Sequence, residues 1–312
     1  VRSGVLTYAM VAFLLRVMES LPQLHTLSGR VARPIARWRV YRFTVLAILV
    51  AWLYFPILAR LASQWRDDPN YSYGFLVPVF SIWVLWRERS RLAMLTPQPS
   101  GWGLFILILA VSTLIVGVFG AELFLSRLSL LLVIAGLVVF FAGWQCFRIV
   151  LFPWAFLLLM IPIPAIVLTQ VTFPLQILAS SMATVMLQFL GVPVLREGNI
   201  INLPAMPLEV AEACSGIRSL LSLMTLSIIY GFLTDTRVHV RVVLALASIP
   251  IAVAANSLRI VVTGLLAQYW DASKAQGFFH EFSGGLIFLI SLALLTGLHR
   301  LLWTAEVRRN VA

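Results

Sequence analysis

A thiol, a guanidinium and an imidazole recur through the second half of this chain in settings where each could be reactive. Cys214 lies in EVAEACSGIRSLLSL, flanked by Glu209, Glu212 and Arg218 and at the start of an apolar helical pattern. Cysteine is ordinarily a small buried apolar residue. Here it opens a predicted helix, where unpaired amides and the helix dipole favour a thiolate, and Arg218 follows one turn on. The amides of Ser215 and Gly216 could also bind an oxyanion. Arg259 lies in NSLR within a long apolar run, and His280 closes GFFH. Imidazole titrates near neutral pH and serves as general acid or base. The three together suit nucleophilic attack by sulfur, with a cation to hold developing negative charge.

Arg259 is the most informative by cost, because a guanidinium deep in lipid is disfavoured by up to about 3 kcal/mol on insertion scales. A structural arginine paired with Glu209, Glu212 or Glu281 is the alternative reading. Asn256, three residues earlier, shares the helical face, so an amide and a guanidinium are presented together. The chain has two cysteines and four histidines. Cys146, His25, His239 and His299 fall toward the cytoplasmic side of the topology below, which argues against a disulfide and leaves His280 as the histidine able to reach Cys214. Cys214 and His280 lack further ligands at zinc-site spacing, so no metal or other cofactor is expected. No serine sits in a nucleophile elbow.

These groups need elements to carry them, and composition names the kind. Of 312 residues, 61% are hydrophobic and 11% charged, with apolar runs along nearly the whole length. That is a multi-pass membrane protein. The net charge of +11 comes from arginines clustered between apolar runs, the pattern of cytoplasmic loops under the positive-inside bias. Nothing resembles a nucleic-acid-binding motif, so no nucleic acid partner is expected; membrane lipids are.

Residues 1–42 read as a cytoplasmic or interfacial arm ending in Arg30, Arg33, Arg37, Arg39 and Arg42, residues 43–303 as the transmembrane domain, and 304–312 as a cytoplasmic tail. Spans are expected at about 43–62, 71–86, 101–120 and 128–144, with RERSR at 87–91 inside. Residues 149–190 hold FPWAFLLLMIPIP and an amphipathic stretch, and must cross an odd number of times, one half being broken, re-entrant or interfacial. Residues 191–213 read as a small extended hairpin outside the bilayer. Spans at 214–233, 242–268 and 281–302 complete an all-α polytopic bundle of about eight spans. Cys214 and His280 then open two spans at the outer face, and Arg259 lies about seven residues below the outer end of a third, about 10 Å deep.

Four ordered blocks, LREGNIINLP, EACSGIRSL, IPIAVAANSLRIVVTGLL and GFFHEFSGGLIF, resemble the exosortase and archaeosortase group of integral membrane cysteine transpeptidases. Weaker agreement begins at DPNYSYGFLVPVFSIWVLWRER and continues at FPWAFLLLMIPIP, so the resemblance covers about 67–290. Tyr73 departs from it, standing where relatives often carry histidine in a YSHG stretch.

The resemblance implies an enzyme, a cysteine peptidase or transpeptidase with Cys214, Arg259 and His280 as its catalytic set. It would lie in the inner membrane of a Gram-negative bacterium making exopolysaccharide, with its site facing the periplasm. Its partners would be secreted proteins ending in a Pro-Glu-Pro type motif, a membrane span and a basic tail, together with a lipid or glycan acceptor. Arg218, Asn256, Glu212 and Arg196 are candidates for binding that substrate. Two other classes of function remain open: a secondary transporter with Arg259 as an anion site, and a non-catalytic subunit of polysaccharide export.

Overall fold

The computed structural model describes the backbone of residues 32–210, 216–270 and 278–311, and the side chains of these except 32–40, 42, 43, 216, 217, 278–283 and 305–311. The helices are α1 (Ala32–Asp67), α2 (Leu76–Arg87), α3 (Arg89–Met94), α4 (Trp102–Phe119), α5 (Leu123–Phe141), α6 (Gly143–Phe156), α7 (Ala165–Phe189), α8 (Gly216–Thr234), α9 (Val238–Tyr269) and α10 (Phe278–Val311). Three short strands, β1 (Leu195–Glu197), β2 (Ile200–Asn202) and β3 (Pro207–Glu209), lie between α7 and α8. Among the described residues, seven helical stretches are long and apolar enough to cross a membrane, and Arg218–Thr234 is a shorter apolar helix. The architecture is the all-α polytopic bundle that composition implies. The chain divides into two compact units, Val1–Gln64 with Val84–Ile161, and Trp65–Trp83 with Pro162–Ala312.

The first unit is built on a hairpin of α4 and α5. Gly103, Leu107, Ala110, Leu114 and Gly117 form one buried stripe of α4. A Cβ at Gly103 would strike the Phe140 backbone, and one at Gly136 would stand 2.7 Å from Leu107 Cγ. Small residues at such an interface let backbones approach where lipid supplies no hydrophobic drive. Tyr54 of α1 packs with Leu107, Ala110, Leu114 and Val133. Ser129 Oγ donates to the Ser126 carbonyl at 2.7 Å, so the Tyr54 phenol is the donor in its 3.0 Å bond to Ser129 Oγ.

Gly143, at φ +85°, reverses the chain after α5. α6 then returns along α5: Phe147 packs with Ala135 and Val139, and Trp154 Nε1 donates to the Leu131 carbonyl at 2.8 Å. A 3-10 turn, Leu157–Met160, extends this helix to Ile161, and α7 starts at Ala165 after IPIP. Residues 149–190, expected to cross an odd number of times with one half broken, re-entrant or interfacial, hold the end of one helical stretch of spanning length, Gly143–Met160, and the whole of another, Ala165–Phe189, which has Pro174 inside it.

The stretch 71–86 also differs from a simple span. It is a 3-10 segment, Pro69–Phe75, followed by the 12-residue α2, about 18 Å of helix against a hydrocarbon core of about 30 Å. Asp68 causes the break locally, its Oδ1 accepting from Asn70 N at 2.9 Å ahead of the proline-led turn. Gly74 lies so close to the Trp65 indole that a Cβ would collide with the ring.

In the second unit the three strands pair antiparallel in the order β1-β2-β3, with Gly198 at φ +66° in the first turn. Alternation puts Ile201, Leu203, Leu208 and Val210 on one face, where they pack with Ala179, Ala183 and Leu187 of α7 and Val253, Ile260 and Val261 of α9. The period of two faces the apolar set of β2 and β3 inward, while the edge strand β1 is exposed on both faces, at Leu195, Arg196 and Glu197. Ser180 Oγ is 3.1 Å from the Gly198 carbonyl, tying the turn to α7.

Candidate functional site

α8, α9 and α10 are successive antiparallel helices, so the start of α8, the end of α9 and the start of α10 meet at one end of the second unit. The described side chains show this directly. Ser219 of α8, Ala255, Asn256 and Arg259 of α9, and Gly284 and Ser291 of α10 line one small cavity of about 10 Å³, enough for a single water-sized group. Arg259 is 6% exposed and Asn256 7%, so guanidinium and amide both face inward from α9. α9 runs to Tyr269, ten residues beyond Arg259, which places Arg259 about 15 Å from that helix end.

The guanidinium lies against α10 at Gly284, where a Cβ would stand at ordinary contact distance, 3.4 Å from Arg259 Nη2. Position 280 is four residues earlier, one turn along the same face. The cavity adjoins a second, of about 30 Å³, whose lining includes Thr172, Gln176, Leu220 and Val253. Asn256 borders both.

Cys214 and Glu212 lie outside the described residues, Cys214 two positions before the start of α8. Of His280 the backbone is described, in the first turn of α10. Arg218 is exposed on α8, and Arg196 is exposed on β1, with Nη1 donating to the Gly198 carbonyl at 3.0 Å. Neither lines the Arg259 cavity. Glu209, one alternative partner for Arg259, is exposed on β3.

The 3-10 segment Pro69–Phe75 packs against α8, so DPNYSYG belongs to the surroundings of the helix that follows Cys214. Burial, reinforced by the neighbouring Tyr71, pushes the Tyr73 phenol above the ordinary phenol range. Among the described residues, no cluster of histidine, cysteine, aspartate and glutamate could hold a metal ion.

Gly284 and Ser219 escaped the reading of motifs. The signal for the first was the pair Gly284-Gly285 inside an apolar helix, where glycine costs helix stability and marks a close approach. Ser219 carries no comparable mark, because serine is common on helices that pack in lipid.

Fold and site together define a polytopic membrane protein with a buried arginine and asparagine near one end of a three-helix cluster. Residues 65–297 match the family model described as transmembrane exosortase (Exosortase_EpsH), and the chain belongs to that family. No curated protein and no solved structure matches it.

Proposed function

We propose that the chain is a membrane-embedded cysteine peptidase or transpeptidase that cleaves the C-terminal sorting signal of secreted proteins. The observation that carries this reading is the burial of Arg259 and Asn256 against Ser219 of α8 and Gly284 and Ser291 of α10, in a chain of the exosortase family. Cys214 Sγ, as thiolate, attacks the scissile carbonyl carbon. The resulting oxyanion accepts hydrogen bonds from Arg259, and His280 delivers a proton to the departing amine. The acyl group stays on sulfur as a thioester until an acceptor nucleophile, deprotonated by His280, displaces it.

The substrate in this reading ends in a Pro-Glu-Pro type motif, an apolar span and a basic tail, and the acceptor is a lipid or glycan at the cell surface. The enzyme then sits in the inner membrane with its site toward the periplasm. Arg218, Glu212 and Arg196 are left to contact the motif near the surface, where exposed charge pairs contribute little each.

Co-expression of a tagged protein carrying such a C-terminus, followed by intact-mass analysis, tests the proposal. The wild type should release the C-terminal segment and leave either a free carboxyl or a defined added mass. Cys214→Ala should leave the substrate whole; normal processing by that variant overturns the reading.

A further inference from the structure

The three helices that line the Arg259 cavity, α8, α9 and α10, are joined away from it by a buried polar chain. Tyr230 of α8 places Oη 3.0 Å from Nδ1 of His299 on α10. Nε2 of the same ring is 3.4 Å from Asp235 Oδ2, in the turn between α8 and α9. Arg237 donates to both carboxylate oxygens, from Nη2 to Oδ2 at 2.7 Å and from Nε to Oδ1 at 3.0 Å, and its backbone amide reaches Oδ1 at 2.8 Å. Arg241, on the first turn of α9, donates to the Asp235 carbonyl at 2.7 Å. Asp235 is 5% exposed and His299 8%.

The donors and acceptors fix a direction. A carboxylate accepts, so Nε2 carries a proton toward Asp235; in the neutral ring Nδ1 then accepts from the Tyr230 hydroxyl. Around this chain the packing is apolar: Val240, Leu244 and Leu295 form the local core. Such a core attracts helices yet tolerates a slip of register, whereas a three-membered hydrogen-bond chain does not. A buried polar group is a poor source of net stability and its best-attested use is to specify register.

We propose that His299 is a positioning residue: gripped by Tyr230 and Asp235, it fixes the roll and axial register of α10 against α8 and α9, and so sets where position 280 stands relative to Cys214 and Arg259. The role rests on the peptidase reading above. Nineteen residues of one helix separate His299 from position 280, about 28 Å, so a small roll at one end is carried whole to the other. A displacement of 1 Å between reacting groups costs up to about a hundredfold in rate.

The test uses the full chain in lipid vesicles, with His299→Phe, which removes both hydrogen bonds, and His299→Gln, which keeps a donor and an acceptor. Alignment is read without catalysis, in a Cys146→Ser, Cys214→Ser background carrying Ser219→Cys and Ile287→Cys, positions that line one cavity from α8 and α10. A short bifunctional thiosulfonate joins them. Activity is read as kcat and KM on a co-reconstituted protein with a Pro-Glu-Pro motif, an apolar span and a basic tail.

At unchanged abundance, His299→Phe should lower cross-link yield several-fold and kcat by about tenfold or more with KM unchanged, and His299→Gln should restore most of both. If the Phe variant does not accumulate, Tyr230→Phe, which removes one hydroxyl, should give the same pattern more weakly. Wild-type yield and kcat in these variants, or a loss that tracks abundance with Gln no better than Phe, overturns the role. A changed cross-link in a chain whose wild type shows no Cys214-dependent processing overturns the peptidase reading and the catalytic part of the role, and leaves the register effect standing.

Discussion

At the scale of single residues, Arg259 does two things that a lysine cannot do together. Its planar fork offers several donors in fixed directions, and its flat guanidinium fits against the bare backbone at Gly284. Arg259→Lys keeps the charge and loses that geometry, so kcat for signal cleavage should fall about 10²-fold to 10³-fold, the usual cost of an oxyanion donor. Gly284→Leu should lose activity similarly, because its side chain must occupy the guanidinium's place, whereas Gly284→Ala, at ordinary contact distance, should lose far less. Both are measured by initial rates at matched abundance.

Asp235 permits a pH prediction. Hydrogen bonds from Arg237 outweigh burial and hold its carboxyl well below the usual carboxylate range. A depressed folded-state value means stabilisation fully present above the ordinary value and lost only as pH falls below it. Asp235→Asn should therefore destabilise the chain by about 2 kcal/mol near neutral pH, and the gap in thermal midpoint should narrow only below about pH 4. Such residues differ in how far the sequence exposed them. Asn256 and Arg259 were legible because one turn of an apolar helix presents both. The Tyr230 and His299 partnership was not, since 69 positions separate them and only antiparallel packing joins them.

At the scale of elements, close approach between α4 and α5 depends on missing side chains. Gly103→Val drives a branched carbon into the Phe140 backbone and should cost about 1–3 kcal/mol, the range for overpacking, read as a lower thermal midpoint in detergent. Helix identity followed from hydropathy, because a span needs little more than length and apolarity. Two places resisted it. In 71–86 the apolar run hides a turn set by Asp68 and Gly74, whose effects lie in hydrogen bonding and in contact with Trp65. In 149–190 four prolines signal interruption without saying which helix returns along which neighbour. The hairpin was readable from its turn residues, and its third strand was hidden by a proline at the strand's first position, Pro207.

At the scale of the whole molecule, the proposed orientation in the membrane rests on where the arginines fall. In a Cys146→Ser, Cys214→Ser chain, an impermeant maleimide applied to intact cells should label Glu197→Cys, on the exposed face of the sheet, and leave Ser90→Cys unlabelled. Labelling of Ser90→Cys alone reverses the assigned orientation and removes the periplasmic setting for Cys214. The family relation covers both compact units, since the match from 65 to 297 includes α4, α5 and α6 as well as the helices around Arg259.

The α4 and α5 pair also bears on how the chain is made. Only residues 120–122 separate the two helices, and their partners lie directly across that short turn, so pairing waits for nothing downstream. Synthesis at about 5–20 residues per second leaves seconds between completion of Phe141 and emergence of Cys214, against microseconds for local helix formation. A nascent chain stalled far enough past Phe141 for α5 to clear the ribosome, yet before Cys214 is made, should already join Ala110→Cys to Val133→Cys in a Cys146→Ser background, giving the growing protein a finished nucleus before the helices around Arg259 exist.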